Sequence, residues 1–405
     1  MQPRSLLFAL VFAALLSPRA GAAGTEAKPA SPADAGAALD RSIADHMREG
    51  GIAGIGAAIV VDGKVAWTRG YGFADRRRGV PFTPDTVLNI GSISKTVTGV
   101  AMMRAVEEGA LSLDADINTY LPFRVVNPHR PEARITLRDL ATHTSGITDR
   151  WAAYEQTYHY YGDTPEPLGE FLREYFVPGG RHYAADNFLD AAPGAQWEYS
   201  NLGAALAGYV VERAVGQSLP DYARARIFAP LGMASTAWRL GDVDPARHAA
   251  LYVRDNGLTV PILLYEGTTY PEGGVRTSVS DLARLFLALL DGGAYGPTRI
   301  LQPASVAEME RYQFSAAHKP GNLDLAEENA GLFWETKFNG TRVGHGGSDP
   351  GIKTEMLASP AGDIGVILFS NTSLPDEDMR HYAAIFLALW KHADGLKQAG
   401  ATASR

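Results

Sequence analysis

Two short apolar runs, Ile55–Val61 and Lys64–Gly70, flank Asp62-Gly63 near the start of the chain. An Asp-Gly pair accepts positive φ at both central positions of a tight turn, so this pattern predicts a β-hairpin. A second pair of runs, Lys353–Ser359 and Ile364–Asn371, lies near the other end and is divided by Pro360-Ala361-Gly362-Asp363. Between these β-rich ends the pattern is mostly helical. Lys95–Glu108, Leu202–Val215 and Ser280–Asp291 are the clearest helical segments, the last opened by a Ser/Asp cap. A first helix is expected at Ala38–Arg48 and an amphipathic one at Glu377–Ala393.

These elements predict an α+β fold, with one antiparallel sheet assembled from both chain ends (about 50–91 and 330–394) and flanked by helices. A mostly helical lobe (about 92–329) completes it, with a cleft between the two parts. The stretch 151–188 reads as an insertion rich in aromatics, among them Tyr154, Tyr158, Tyr160, Tyr161, Tyr175 and Phe176. Packing of this insertion onto the helical lobe is expected in preference to a substrate-binding wall. No internal repeat is visible.

The N-terminus changes the picture of where the protein works. Arg4 precedes the apolar run Ser5–Leu16, which is too short to span a bilayer, and Ala20-Gly21-Ala22 follows as a small-residue cleavage pattern. Residues 1–22 therefore read as a secretory signal, with an uncleaved anchor as the alternative. Residues 23–38 read as a linker, 39–394 as the domain and 395–405 as a tail. The expected location is periplasmic or secreted, with no stable membrane insertion after cleavage.

Lys and Arg total 37 against 45 Asp and Glu, a formal charge of −8, and nothing points to nucleic acid. The chain has no cysteine, which excludes disulfides, a thiol nucleophile and zinc–thiolate sites together. No His-Glu-x-x-His occurs, the histidines lack the linear spacing of metal ligands, and no glycine loop suits a phosphate, so no metal or other cofactor is expected. The expected partner is a small-molecule or peptide substrate.

Three short elements carry candidate chemistry. In Asn89-Ile90-Gly91-Ser92-Ile93-Ser94-Lys95, a hydroxyl and an amine three residues apart share one helix face, so Lys95 can reach the Ser92 oxygen. A free serine hydroxyl is a poor nucleophile and needs such a partner. The Ser92 N–H, near a helix N-terminus, could stabilise an oxyanion. Taken alone, the tetrapeptide reads as a capped, solvated helix start. In Tyr199-Ser200-Asn201, the phenol is a plausible base only if its pKa, about 10 when unperturbed, is lowered by a neighbouring ammonium. Asn201 can tie this loop to Lys95 or hold a substrate amide. In Gly344-His345-Gly346-Gly347-Ser348, Gly347 permits close approach of a substrate backbone and Ser348 N–H is a second oxyanion donor. His345 could bind a substrate carboxylate or relay a proton with Tyr199.

In this order the three elements resemble the serine β-lactamase and penicillin-binding protein superfamily, whose first motif is Ser-x-x-Lys. The class C-like branch, with a Tyr-x-Asn second motif, is the closer match. Leu140-Ala141-Thr142-His143-Thr144-Ser145-Gly146, Pro230-Leu231-Gly232-Met233, Gly273-Gly274 and Ser280-Asp281-Leu282 also look like that branch. The resemblance covers roughly 39–394. It implies a serine hydrolase in which Ser92 is acylated, Lys95 and Tyr199 serve as base, and Asn201, His345, Gly347 and Ser348 bind substrate. His143 and Gly146 are read as structural. The third motif departs from the β-lactamase pattern, with His345 where lysine is usual. A peptidase or esterase is therefore favoured over a β-lactamase or a D-Ala-D-Ala carboxypeptidase, and a non-catalytic peptide- or β-lactam-binding module is the remaining alternative.

Overall fold

The Asp62-Gly63 turn forms as expected, with φ of 46° and 74°, and joins strands β1 (Gly54–Val61) and β2 (Lys64–Asp75). The computed structural model describes residues 32–160 and 166–403. The stretch read as a signal and most of that read as a linker lie outside the described residues, as does Tyr161 of the expected insertion.

Strand β3 (Val80–Pro81) follows β2, and β4 (Glu335–Lys337), β5 (Arg342–Asp349), β6 (Ile352–Ala358) and β7 (Ile364–Ser370) come from the C-terminal end. Together they make a seven-stranded antiparallel sheet in the order β4-β5-β6-β7-β1-β2-β3. The two chain ends meet where β1 pairs with β7, Ile55 opposite Ser370 and Val61 opposite Ile364. Strand β1 is apolar on both faces because both faces are covered. Ile55, Ala57 and Ile59 pack with helices α1 (Pro32–Glu49) and, at the far end of the chain, Met379–Ala403, through Leu39, Ile43, Ile385, Phe386 and Leu389. Ala58 and Val60 face the opposite way, into a larger core shared with the helical lobe. Each such fully buried Val or Ile contributes about 1.5–3 kcal/mol.

That lobe is built on α2 (Ile93–Glu107), α3 (Asn201–Val215), α4 (Tyr270–Gly273) and α5 (Val279–Leu290), and Met379–Ala403 is α6. Ser278 caps α5 by accepting from Asp281 N at 3.1 Å, the Ser/Asp signal of the sequence displaced by two residues. Helix α2 has almost no polar face, since Ile93 to Met103 are all buried between sheet and lobe. Two boundaries differ from expectation. Helix α1 begins at Pro32, inside the stretch read as linker, because Asp34 and the alanines of 35–38 support a helical first turn. Helix α6 continues to Ala403, through most of the stretch read as a tail, since Gly395 and Gly400 do not break it. Among the described residues no helix is long and apolar enough to cross a membrane.

Candidate active site

Gly91 adopts φ +52°, with its N–H donating to Asn89 Oδ1 at 2.7 Å, and this turn delivers Ser92 to the N-terminus of α2. Ser92 occupies the N-cap position, yet its side chain makes no capping hydrogen bond. Its hydroxyl instead accepts from Lys95 Nζ at 3.0 Å. The reading of a merely capped, solvated helix start is therefore excluded.

Lys95 is fully buried, and its ammonium is met from three directions. It donates to Ser92 Oγ, to Asn201 Oδ1 at 2.7 Å and to Glu272 O at 3.0 Å, with Glu272 Oε2 at 3.1 Å. The Tyr199 ring centroid lies 5.0 Å from Nζ. Burial disfavours the charged form, but Tyr199 and Glu272 more than offset it, and the Lys95 pKa is raised. For Tyr199 the balance runs the other way. Burial pushes the phenol above its usual value, while the Lys95 ammonium and hydrogen bonds with Lys95 and Ser92 pull it back only in part. The expected lowering of the phenol pKa is thus present as a force but does not win. The resting pair is ammonium and neutral phenol, which titrate together.

The second motif is held by a residue that the sequence reading did not single out. Asp149 accepts from Asn201 N at 2.7 Å, Leu202 N at 3.0 Å and Ser200 Oγ at 2.8 Å, and Ser200 Oγ in turn accepts from Gly203 N at 2.8 Å. These bonds satisfy the free N–H groups at the start of α3 and fix Tyr199 relative to Asn201. His143, in the loop read as structural, supports Tyr199 from behind. Its ring lies 4.4 Å from the tyrosine ring, its Nδ1 accepts from Ser200 N at 3.2 Å, and its backbone carries φ +57°.

The third motif lies within strand β5. A side chain at Gly347 would place its Cβ 2.1 Å from Ile90 O and 2.4 Å from Thr354 Oγ1, so glycine lets β5 close on the segment that carries Ser92. A Cβ at Gly91 would lie 3.2 Å from Ser348 N. The backbone of Ser348 is thereby brought against the N-terminus of α2. His345 is set back from this surface. It is 2% exposed, its Nδ1 is 2.7 Å from Gly346 O, and its Nε2 is 3.5 Å from Glu335 Oε1. Burial lowers its pKa to about 4, so the ring is neutral at pH 7. A direct grip on a substrate carboxylate does not match that orientation.

Glu335 is itself paired with Lys337 Nζ at 2.5 Å, and the ammonium and the two histidines beside it outweigh burial and lower its pKa. The strand pair around the third motif therefore holds its charges in balance.

On the opposite wall the insertion reaches the site. Tyr154 OH donates to Glu272 Oε1 at 2.7 Å, and Tyr158 OH donates to Asp349 Oδ1 at 2.7 Å. Phe171, Tyr175 and Phe176 are buried in the lobe core as expected, whereas Tyr160 is exposed. Burial, together with the charge of Glu272, pushes the Asp349 carboxyl up to about 7. The sequence signals for these residues were faint. Glu272 directly precedes the noted Gly273-Gly274, and Asp349 directly follows Ser348, but neither announces its partner.

Residues 39–389 match the family model described as Beta-lactamase. The chain belongs to the Beta-lactamase family. Over 293 residues it is 32% identical to Esterase EstB of Burkholderia gladioli, covering 66% of this chain and 73% of that one. It is 24% identical over 338 residues to Protein flp of Staphylococcus aureus, covering 82% of this chain but only 62% of that relative's length. The octameric penicillin-binding protein homologue from Pyrococcus abyssi superposes with a TM-score of 0.68 at 27% identity, over 87% of this chain and 77% of that one.

Because Glu272 adds negative charge beside Lys95, it favours the ammonium and resists loss of a proton from the Lys95–Tyr199 pair. Glu272→Gln should move the rising alkaline limb of kcat/KM to lower pH, by about one unit for a charge this close. An unmoved limb in a folded variant would show that Glu272 does not act on the pair.

Proposed function

We propose that this protein is an exported serine hydrolase that cleaves an ester, amide or peptide bond through an acyl-enzyme on Ser92. The observation that carries the reading is the Ser92 hydroxyl, relieved of capping and bonded to a fully buried ammonium beside a phenol. Export rests on the positive, apolar and small-residue pattern of residues 1–22.

In the form that has lost a proton, with Tyr199 as phenolate beside the Lys95 ammonium, Ser92 Oγ attacks the substrate carbonyl carbon while its proton passes to the Tyr199 oxygen. Glu272 keeps Lys95 in its charged form, so when the pair gives up a proton the phenol gives it, and the adjacent ammonium stabilises the phenolate. The tetrahedral oxyanion lies between the N–H groups of Ser92 and Ser348. Its collapse breaks the scissile bond, and Tyr199 returns the proton to the leaving group. Water then attacks the acyl carbon, giving a proton to the Tyr199 phenolate, which passes it to Ser92 Oγ as the acyl bond breaks, so that the phenolate and the Ser92 hydroxyl are both restored. Asn201 holds Lys95 through its side-chain oxygen, which leaves its amide N–H groups for a substrate carbonyl.

The charge layout favours an esterase or peptidase over a β-lactamase. Neutral His345, the balanced Glu335–Lys337 pair and the carboxyl groups of Glu272 and Asp349 provide no surplus positive charge for a substrate carboxylate. The relative named as an esterase agrees with this preference.

Intact mass after treatment with a fluorophosphonate probe tests the nucleophile. The expected result is one adduct on the wild type and none on Ser92→Ala. Persistent hydrolysis or labelling by the pure variant overturns the assignment, and no adduct on either protein favours a binding module. On the wild type, kcat/KM for uncharged p-nitrophenyl esters should exceed that for cephalosporins by at least about 10-fold, roughly the effect of one unfavourable charge interaction of 1.4 kcal/mol. The opposite order would contradict the charge argument.

A further inference from the structure

Helices α1 and α6 cover the face of the sheet opposite the catalytic lobe, and they meet at a group of side chains that the hydrolase reading does not use. His46 and Glu49 stand three residues apart in the last turn of α1, on one face. His381 lies in the first turn of α6. His46 Nδ1 and His381 Nδ1 are 3.3 Å apart, and Glu49 Oε2 is 3.7 Å from His381 Nδ1. One donor atom from each of the three lies within 4.8 Å of the others.

We propose that His46, Glu49 and His381 form a site for a divalent transition metal, zinc foremost, that fastens the first helix of the domain to the last. Three features carry this. The donor set, two imidazoles and a carboxylate, suits zinc and its neighbours in the first transition row, whereas calcium and magnesium require oxygen ligands. The spacing also fits. Two zinc–nitrogen bonds of about 2.0–2.1 Å at a tetrahedral angle place their nitrogens about 3.3–3.4 Å apart, which is the separation of the two Nδ1 atoms. A carboxylate oxygen 3.7 Å from one nitrogen, and within 4.8 Å of the other histidine's donor, supplies a third ligand, and the fourth position falls to water.

The backbone makes room for this approach. Gly50 follows α1, and a Cβ there would lie 2.9 Å from the Cβ of His381 and 3.1 Å from His46 O. Any other residue would push the two helices apart at this point. Glu49 is exposed, and its contact with Arg48 is long, at 3.9 Å, so its carboxylate remains available to a cation. Linear spacing could not reveal the site, because His381 lies 335 residues from His46 and only the pairing of the chain ends brings them together.

Binding to the folded chain alone would stabilise it, since in the unfolded chain the ligands are far apart. The test is calorimetric titration of the purified, EDTA-stripped full chain with zinc chloride, with thermal unfolding followed in zinc or magnesium chloride. The variants are His46→Ala and Glu49→Gln, chosen because neither removes the buried His381 ring. The expected result is one zinc per chain and a rise in Tm with zinc but not magnesium. His46→Ala should lose more than about 100-fold in affinity, exceeding the 10–100-fold typical of groups that only orient a ligand, and Glu49→Gln at least about 10-fold. Both should match the wild-type Tm without metal. Absence of zinc uptake by the wild type overturns the proposal. So does zinc affinity unchanged in both variants, which would place the ion on other histidines.

Discussion

Everything at the candidate active site is arranged around one buried ammonium. Moving an unpaired charge out of water costs many kcal/mol, so Lys95 is tolerable in the interior only because acceptors surround it. Those acceptors come from three segments remote in sequence: Ser92 on its own helix turn, Asn201 at the head of α3, and Glu272 in α4. Satisfying the charge therefore brings the pieces of the site together. The same ammonium polarises the Ser92 hydroxyl and offers a counter-charge to the Tyr199 phenolate.

Around that centre, charge is balanced in most places and surplus only on one wall. Lys337 neutralises Glu335, and the two histidines beside Glu335 are held neutral by burial, with pKa lowered to about 3 for His143 and about 4 for His345. On the insertion side, Tyr154 and Tyr158 donate to the carboxyl groups of Glu272 and Asp349. Among the described residues, the candidate site thus combines a local positive charge at Lys95 with carboxyl groups on the insertion wall. In the proposed function, chemistry and substrate preference thus rest on different residues, the first on the Ser-x-x-Lys turn and the second on the strands and insertion that surround it.

Much of this was legible along the chain. Asp62-Gly63 marked the first hairpin, and the apolar runs at both ends marked the strands that pair as β1 and β7. Ser92, Lys95, Tyr199 and Asn201 are brought together as their order suggested. What escaped the sequence were the partners supplied by long-range packing. Asp149 lies 52 residues from Asn201, and Glu272 lies 177 from Lys95, with no periodicity or motif connecting them. His345 stood out because of its glycines, yet folding turned it inward to Glu335, a residue on a three-residue strand too short to leave a pattern. The early start of α1 and the long run of α6 were hidden for a related reason. Alanine- and glycine-rich ends look like linkers, and these end turns are mostly exposed, continuing helices whose inner turns pack on the sheet through Leu39, Ile43, Leu389 and Ala393.

In the proposed reaction Lys95 stays charged and Tyr199 carries the mobile proton. The most direct test is the pH dependence of the second-order rate of Ser92 acylation by an activated ester, for the wild type and Tyr199→Phe. The account predicts an alkaline limb in the wild type that disappears in the variant, with the plateau rate falling by about 10²-fold or more, as expected for loss of a general base. A variant that keeps the same limb and rate would assign the titrating base to Lys95 and contradict the account.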